Sequence, residues 1–264
     1  MRRYALLATL LLSSTAAAAA TCGSDASGFN AWKQQFAQEA SAQGVGQRGL
    51  DALAGTQYAT RTISADRNQK SFKYSLDDFL RIRGADTIVA QGRKKIANNP
   101  NFFSGLEQRY GVPASVVVAI WGMETGFGNF MGDSNVLSAI STLAYDCRRT
   151  DFFTPHALAA LQLVDRGSLS SGTVGAMHGE VGHTQFLPGN VARFGVDADN
   201  NGVVDLTNQS DALASTANFL RQKGWQPGAG FQEGQPNFAV IQQWNAAGVY
   251  QKAIAQMAGR IDNG

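Results

Sequence analysis

The chain has 264 residues with 22 basic and 20 acidic side chains, 29 glycines and two cysteines. Discounting the first 20 residues as a leader removes Arg2 and Arg3 and no acid, so the formal charge falls to zero. This excludes a protein that binds nucleic acid through a basic surface. About 240 remaining residues can bury a substantial core as one large or two small domains.

Residues 1–20 combine two arginines, the apolar stretch "YALLATLLL" and a run of small residues ending in "AAAAA". That is the make-up of a secretory signal peptide, and it predicts export. The apolar stretch is too short to span a bilayer, and no later segment has about 20 uninterrupted apolar residues. In an oxidising compartment the two cysteines, Cys22 and Cys147, are expected to pair. The alternative is a lipid on Cys22, which needs cleavage directly before it, where Thr21 is a poor residue.

Apolar residues at helical spacing (Phe29, Trp32, Phe36, Ala40) predict a first helix that stops at Gly44. Further helices are predicted over 69–84 and 85–99. The stretch from Arg61 to Lys95 is locally basic, which fits a solvated helix face, with a surface for an acidic polymer as the other reading. A central helix over 111–124 opens on Pro113 and continues as an unbroken apolar run. Helices are also predicted over 152–167, 211–225 and 249–261. The segment from Gly167 to Gly195 is expected to be irregular, and loops of that length in compact domains tend to be functional. No repeat or long linker separates two halves.

The stretch "VVVAIWGMETGFGNFMG" looks at first like a strand feeding a phosphate-binding turn. Its glycines are spaced one residue too far apart for the dinucleotide fingerprint, and no P-loop lysine follows. Glu124 would also sit where phosphate oxygens must approach. Taken as a helix end, the segment puts Val116, Ile120 and Glu124 on one face. A carboxylate on an apolar face is poorly solvated and holds its proton to higher pH, so it can protonate a leaving oxygen. Spacing alone does not separate this from a helix-terminal glutamate paired with an arginine. The glycines that follow are expected to clear room for a bulky polymer.

A second motif is "DADNNGVVDLTN", from Asp197 to Asn208. Asp197, Asp199, Asn201 and Asp205 supply oxygens at positions 1, 3, 5 and 9 of an EF-hand-type calcium loop, with the Val203 carbonyl as a backbone ligand. Asn208 stands where a bidentate glutamate is usual, with Asp211 as a substitute. An Asp/Asn turn without metal is the competing reading. His156, His178 and His183 lack zinc-protease spacing.

"AIWGMETGFGNFMGDSNVLSAISTLAYDCRRTDFF", "GEVGHTQFLPGNV" and "NFAVIQQWNAAGVYQKAIAQMAGRI", in that order, resemble the lytic murein transglycosylase B family, and the similarity extends upstream through "DRNQKSF". The resemblance implies a mainly α, lysozyme-like α+β catalytic core over 91–264 that includes the calcium-type loop at 197–208. It also implies an N-terminal helical region, 21–90, packed on that core. Glu124 matches the single catalytic acid and base. Gln185, Phe186 and Pro188 match the motif that lines the sugar cleft, and Asn245 and Tyr250 match the pair near the scissile sugar. Trp244 stands where tyrosine is more usual, which leaves its ring without a clear role. Of the cleft aromatics, Phe186 and Tyr250 are the ones expected to stack on sugar.

The implied activity is cleavage of peptidoglycan glycan strands between N-acetylmuramic acid and N-acetylglucosamine, leaving a 1,6-anhydro end. No cofactor is expected for catalysis, calcium would be structural, and a periplasmic monomer meeting wall-building proteins is expected. A hydrolytic muramidase and a non-catalytic wall-binding module are the rivals. Ordinary glycosidases use two carboxylates; Asp133, Asp146 and Asp151 all lie in polar or charged sequence, so one glutamate is expected to act alone.

Overall fold

The computed structural model describes residues 19–68 and 74–263. Most of the leader, residues 1–18, and the first part of the helix expected over 69–84 lie outside them.

A short 3-10 turn, Ala26–Gly28, leads into α1 (Phe29–Ala42), α2 (Gln47–Ala54), α3 (Thr60–Arg67) and α4 (Leu76–Arg83). Then come α5 (Ala85–Asn98), α6 (Pro100–Tyr110), α7 (Ala114–Thr125), α8 (Val136–Tyr145) and α9 (Thr150–Asp165). The chain closes with α10 (Pro188–Phe194), α11 (Gln209–Gln222), α12 (Phe238–Trp244) and α13 (Gly248–Asp262). Two short strands, β1 (Ser134–Asn135) and β2 (Val174–Gly175), pair antiparallel with Ser134 opposite Gly175. β2 and α10 fall inside the segment expected to be irregular.

The helix α7 is the axis of the molecule, because its apolar run leaves no polar face to present to water. Residues from Ser115 to Met123 are all buried. It packs against α5, α11 and α13, and the core runs without a break from Phe29 to Ile261. Pro113 is the N-cap of α7 rather than part of its first turn.

The N-terminal helices are fastened to the rest by polar contacts of long range. The Asp165 carboxylate accepts the backbone N–H groups of Gly46 (2.6 Å) and Gly49 (2.8 Å), capping α2 from the end of α9. Buried Asp66 on α3 pairs with Arg148 and with Arg149 (2.7 Å), and Arg67 reaches buried Asp146 at 3.1 Å. Part of the basic stretch is therefore a structural clamp. Beside it Cys22 and Cys147 form a disulfide, and Gly23 exchanges backbone hydrogen bonds with Tyr145 and Cys147.

Candidate active site

Glu124 is the penultimate residue of α7, and Gly126 ends the helix in the left-handed conformation at φ 56°. Thr125 ties this end to the turn carrying Gln185. Its hydroxyl donates to the His183 carbonyl (2.6 Å) and accepts from Gly128 N–H (2.9 Å). Trp121 Nε1 donates to His183 Nδ1 at 3.1 Å, and burial holds this imidazole below its usual pKa. A Cβ on Gly128 would lie 2.2 Å from the His183 ring. The bulk this glycine removes is thus the protein's own, not the substrate's as expected.

The Oε1 atom of Glu124 accepts two hydrogen bonds, from Trp244 Nε1 (2.9 Å) and from the Tyr250 hydroxyl (2.8 Å). Trp244, which the sequence left without a clear role, is a direct donor to the carboxylate, and its indole N–H does this as well as a phenol would. The Arg83 guanidinium lies over the Tyr250 ring, 5.8 Å from its centroid. Burial raises the Glu124 pKa above its ordinary value. The hydrogen bonds from Trp244 and Tyr250 and the charge of Arg83 oppose the rise, and Glu180 adds to it. Burial, and the neighbouring charge of Glu124, push the Tyr250 hydroxyl well above its usual range, so it stays a donor.

Two hollows meet at Glu124. One, of about 390 Å³, is lined by Gln185, Phe186, Asn190, Trp244 and Asn245, with His178 and Glu180 on its wall. The other, of about 550 Å³, is lined by Arg83, Thr87, Gln91, Asn129 and Phe130. Gln185 has φ 54°, unusual for a residue with a side chain, and its amide nitrogen is held by the carbonyls of Gly182 (2.7 Å) and Met131 (3.3 Å). The Asn245 side-chain oxygen Oδ1 accepts from Ala247 N–H (2.9 Å). The structure thus brings Glu124, Gln185, Phe186, Asn245 and Tyr250 together.

Two sequence expectations need correction. Phe186 and Tyr250 are each only 3% exposed, so neither ring is open to stack on sugar; Phe186 is wedged edge-on against Trp244 and Phe219. The exposed aromatic beside Glu124 is Phe130, at 79%. A second carboxylate does share the cleft: Glu180 is half-buried in the first hollow, accepting His178 N–H at 3.1 Å. Nothing local marks it in the sequence, because no apolar periodicity surrounds it in a glycine-rich segment.

Carboxylate oxygens of Asp197 and Asp199, in the loop from Asp197 to Asn208, and of Asp211, in the first turn of α11, lie within 4.8 Å of one another. Asp211 is fully buried and accepts backbone N–H groups of Ala198 (2.8 Å) and Asp205 (2.9 Å). Asn208 is engaged otherwise than expected, capping α11 through Ser210 N–H and donating to Asp199. The Asp205 carboxylate serves Thr207, and the Asn201 side chain is engaged with Asp199 and Val203 N–H. A buried carboxylate facing two others is a donor set of hard oxygens that fits a calcium ion.

A family model described as "Transglycosylase SLT domain" matches residues 28–233. The membrane-bound lytic murein transglycosylase B of Escherichia coli is 32% identical over 123 residues, covering 46% of this chain and only 34% of that relative. SltB3 of Pseudomonas aeruginosa, solved in complex with NAG-anhNAM-pentapeptide, is 28% identical with a TM-score of 0.82 over 89% of this chain and 80% of its own. The E. coli lytic transglycosylase Slt35, solved in complex with calcium, has the same fold at 21% identity, with a TM-score of 0.76 over 92% of this chain and 96% of its own. These likenesses bear out the mainly α, lysozyme-like fold. With a half-buried glutamate at the end of the central helix and a family match over most of its length, the chain belongs to the SLT-domain family of lytic transglycosylases.

Proposed function

We propose that the protein is an exported, periplasmic enzyme that cleaves the β-1,4 bond between N-acetylmuramic acid and N-acetylglucosamine in peptidoglycan, forming a 1,6-anhydro end. The observation that carries this reading is the setting of Glu124: a sheltered carboxyl of raised pKa between two hollows, with both its protein donors on Oε1. Oε2 is then the oxygen that bears the proton. Glu124 gives it to the glycosidic oxygen as the bond to the muramyl anomeric carbon breaks. The 6-hydroxyl of the same muramyl residue then bonds to that carbon, and its proton passes to the Glu124 carboxylate. Trp244 and Tyr250 stabilise the carboxylate between the two transfers. The attack is intramolecular, so no positioned water is needed.

Gln185 has its amide nitrogen occupied and so offers its carbonyl oxygen to a sugar N–H or hydroxyl. Asn245, with its carbonyl occupied, offers its amide N–H groups. Asp197, Asp199 and Asp211, with the Val203 carbonyl, would hold a calcium ion that braces the loop; the ion takes no part in the chemistry.

Mass spectrometry of digested sacculi tests the reaction. Wild type should release fragments whose muramyl ends are lighter by one water than reducing ends, and Glu124→Gln should release at least about a hundredfold fewer. Glu180 favours one rival, a muramidase that uses a second carboxylate to activate water; reducing ends alone would establish it. For calcium, millimolar additions should raise the melting temperature of wild type and not of Asp211→Asn. Equal melting curves would remove the metal.

A further inference from the structure

Resting on the glycan-strand reading, we propose that the hollow between Arg83 and Phe130 is a subsite for a sugar bearing a carboxylate. Phe130 serves as the stacking platform and Arg83 as the counter-ion.

Among the exposed large apolar side chains of the described residues Phe130 is the extreme, at 79%, while the next, Tyr74, is 55% exposed. A single exposed aromatic is unremarkable on a general surface. This one stands on the wall of a hollow whose floor is the candidate acid. The backbone that carries it is held in place, since Phe130 N–H donates to the Thr125 carbonyl (3.0 Å) and Asn129 braces the loop through the Gly126 carbonyl (2.7 Å). An open aromatic face on a braced loop suits the apolar face of a pyranose ring.

The Arg83 side chain is placed just as firmly, with its guanidinium over the rings of Phe79 (5.5 Å) and Tyr250 (5.8 Å). It is exposed, and no carboxylate among the described residues lies at ion-pair distance from it. A guanidinium presents a planar fork that matches a carboxylate. Thr87, Gln91 and Asn129 add neutral hydrogen-bonding groups around it. The first hollow has the opposite character, with Glu180 on its wall. Like charge there disfavours an acidic substituent, so the two hollows sort the strand by charge.

The test uses glycan strands freed of stem peptides, which retain the lactyl carboxylate, and the same strands with that carboxylate blocked as the methylamide. Wild type should show a KM about tenfold lower on the free acid, as expected for one charged hydrogen-bonded pair. Arg83→Gln should lose this preference, raising KM on the free acid about tenfold and on the blocked strand less than about twofold, and Arg83→Lys should recover part of it. Phe130→Ala should raise KM on both strands by a similar factor, and Phe130→Trp should restore it. If Arg83→Gln affects both strands alike, or Phe130→Ala leaves KM unchanged, the assignment fails while the activity stands. If wild type forms no anhydro ends on either strand, the glycan-strand reading falls and takes the subsite with it.

Discussion

At Glu124 two effects of opposite sign act on one side chain. Burial pushes its pKa up from an ordinary 4.5, while the two donors on Oε1 and the charge of Arg83 pull it down, and burial prevails. A carboxyl whose pKa is higher folded than unfolded favours folding only while protonated. Its contribution is fully present below the unfolded value and lost as pH rises through the folded one. Glu124→Gln, which cannot ionise, should therefore match wild type in stability below pH about 4 and exceed it at neutral pH. Thermal melts across that range check this, and a pH-independent difference would contradict it. The helical face that shelters Glu124 was legible in the spacing of Val116 and Ile120. The donors were not, since Trp244 and Tyr250 lie 120 and 126 residues further along the chain.

Helices show the same division between local and distant causes. Those with a clear apolar stripe, such as α1, α5 and α13, follow from periodicity, and α7 from Pro113 and its unbroken apolar run. α2 does not, because its N-terminal cap is Asp165, more than a hundred residues away. α3, α6, α10 and α12 were likewise unanticipated, and α12 has only seven residues over which to show a period. α8 did carry a local sign, the Asn135 side chain capping it through Ser138 N–H at 2.9 Å. At the junction of α9 and α10, buried His156 accepts Gly189 N–H on Nδ1 (3.1 Å), and burial, helped by Arg193, holds its pKa at about 4. A histidine with a depressed folded pKa favours folding above the unfolded value of 6.5 and ceases to as pH falls through 4. Denaturant titrations should show wild type losing roughly 2 to 3 kcal/mol through this group between pH 7 and 4.5. His156→Asn should be less stable at pH 7 but show a flatter pH dependence; an unchanged slope would count against the assignment.

Across the whole molecule the N-terminal segment is stapled where α8 ends, by the disulfide and the Asp66 and Asp146 ion pairs. A crosslink between residues 125 apart removes much freedom from the unfolded chain. Reduction, or Cys147→Ser, should cost about 4 kcal/mol in urea unfolding, and coincident curves with and without reductant would show that the ion pairs suffice. Sequence alone determined the helical class, the central apolar helix, the glutamate at its end and the acidic loop, because each is written by residues a few positions apart. Tertiary structure alone decided which indole and phenol grip that glutamate, that Glu180 shares its cleft, that Phe130 is the open aromatic on its wall and that buried Asp211 faces Asp197 and Asp199. These depend on how separate elements pack, and burial and charge at a site are sums over neighbours in space that no local window contains.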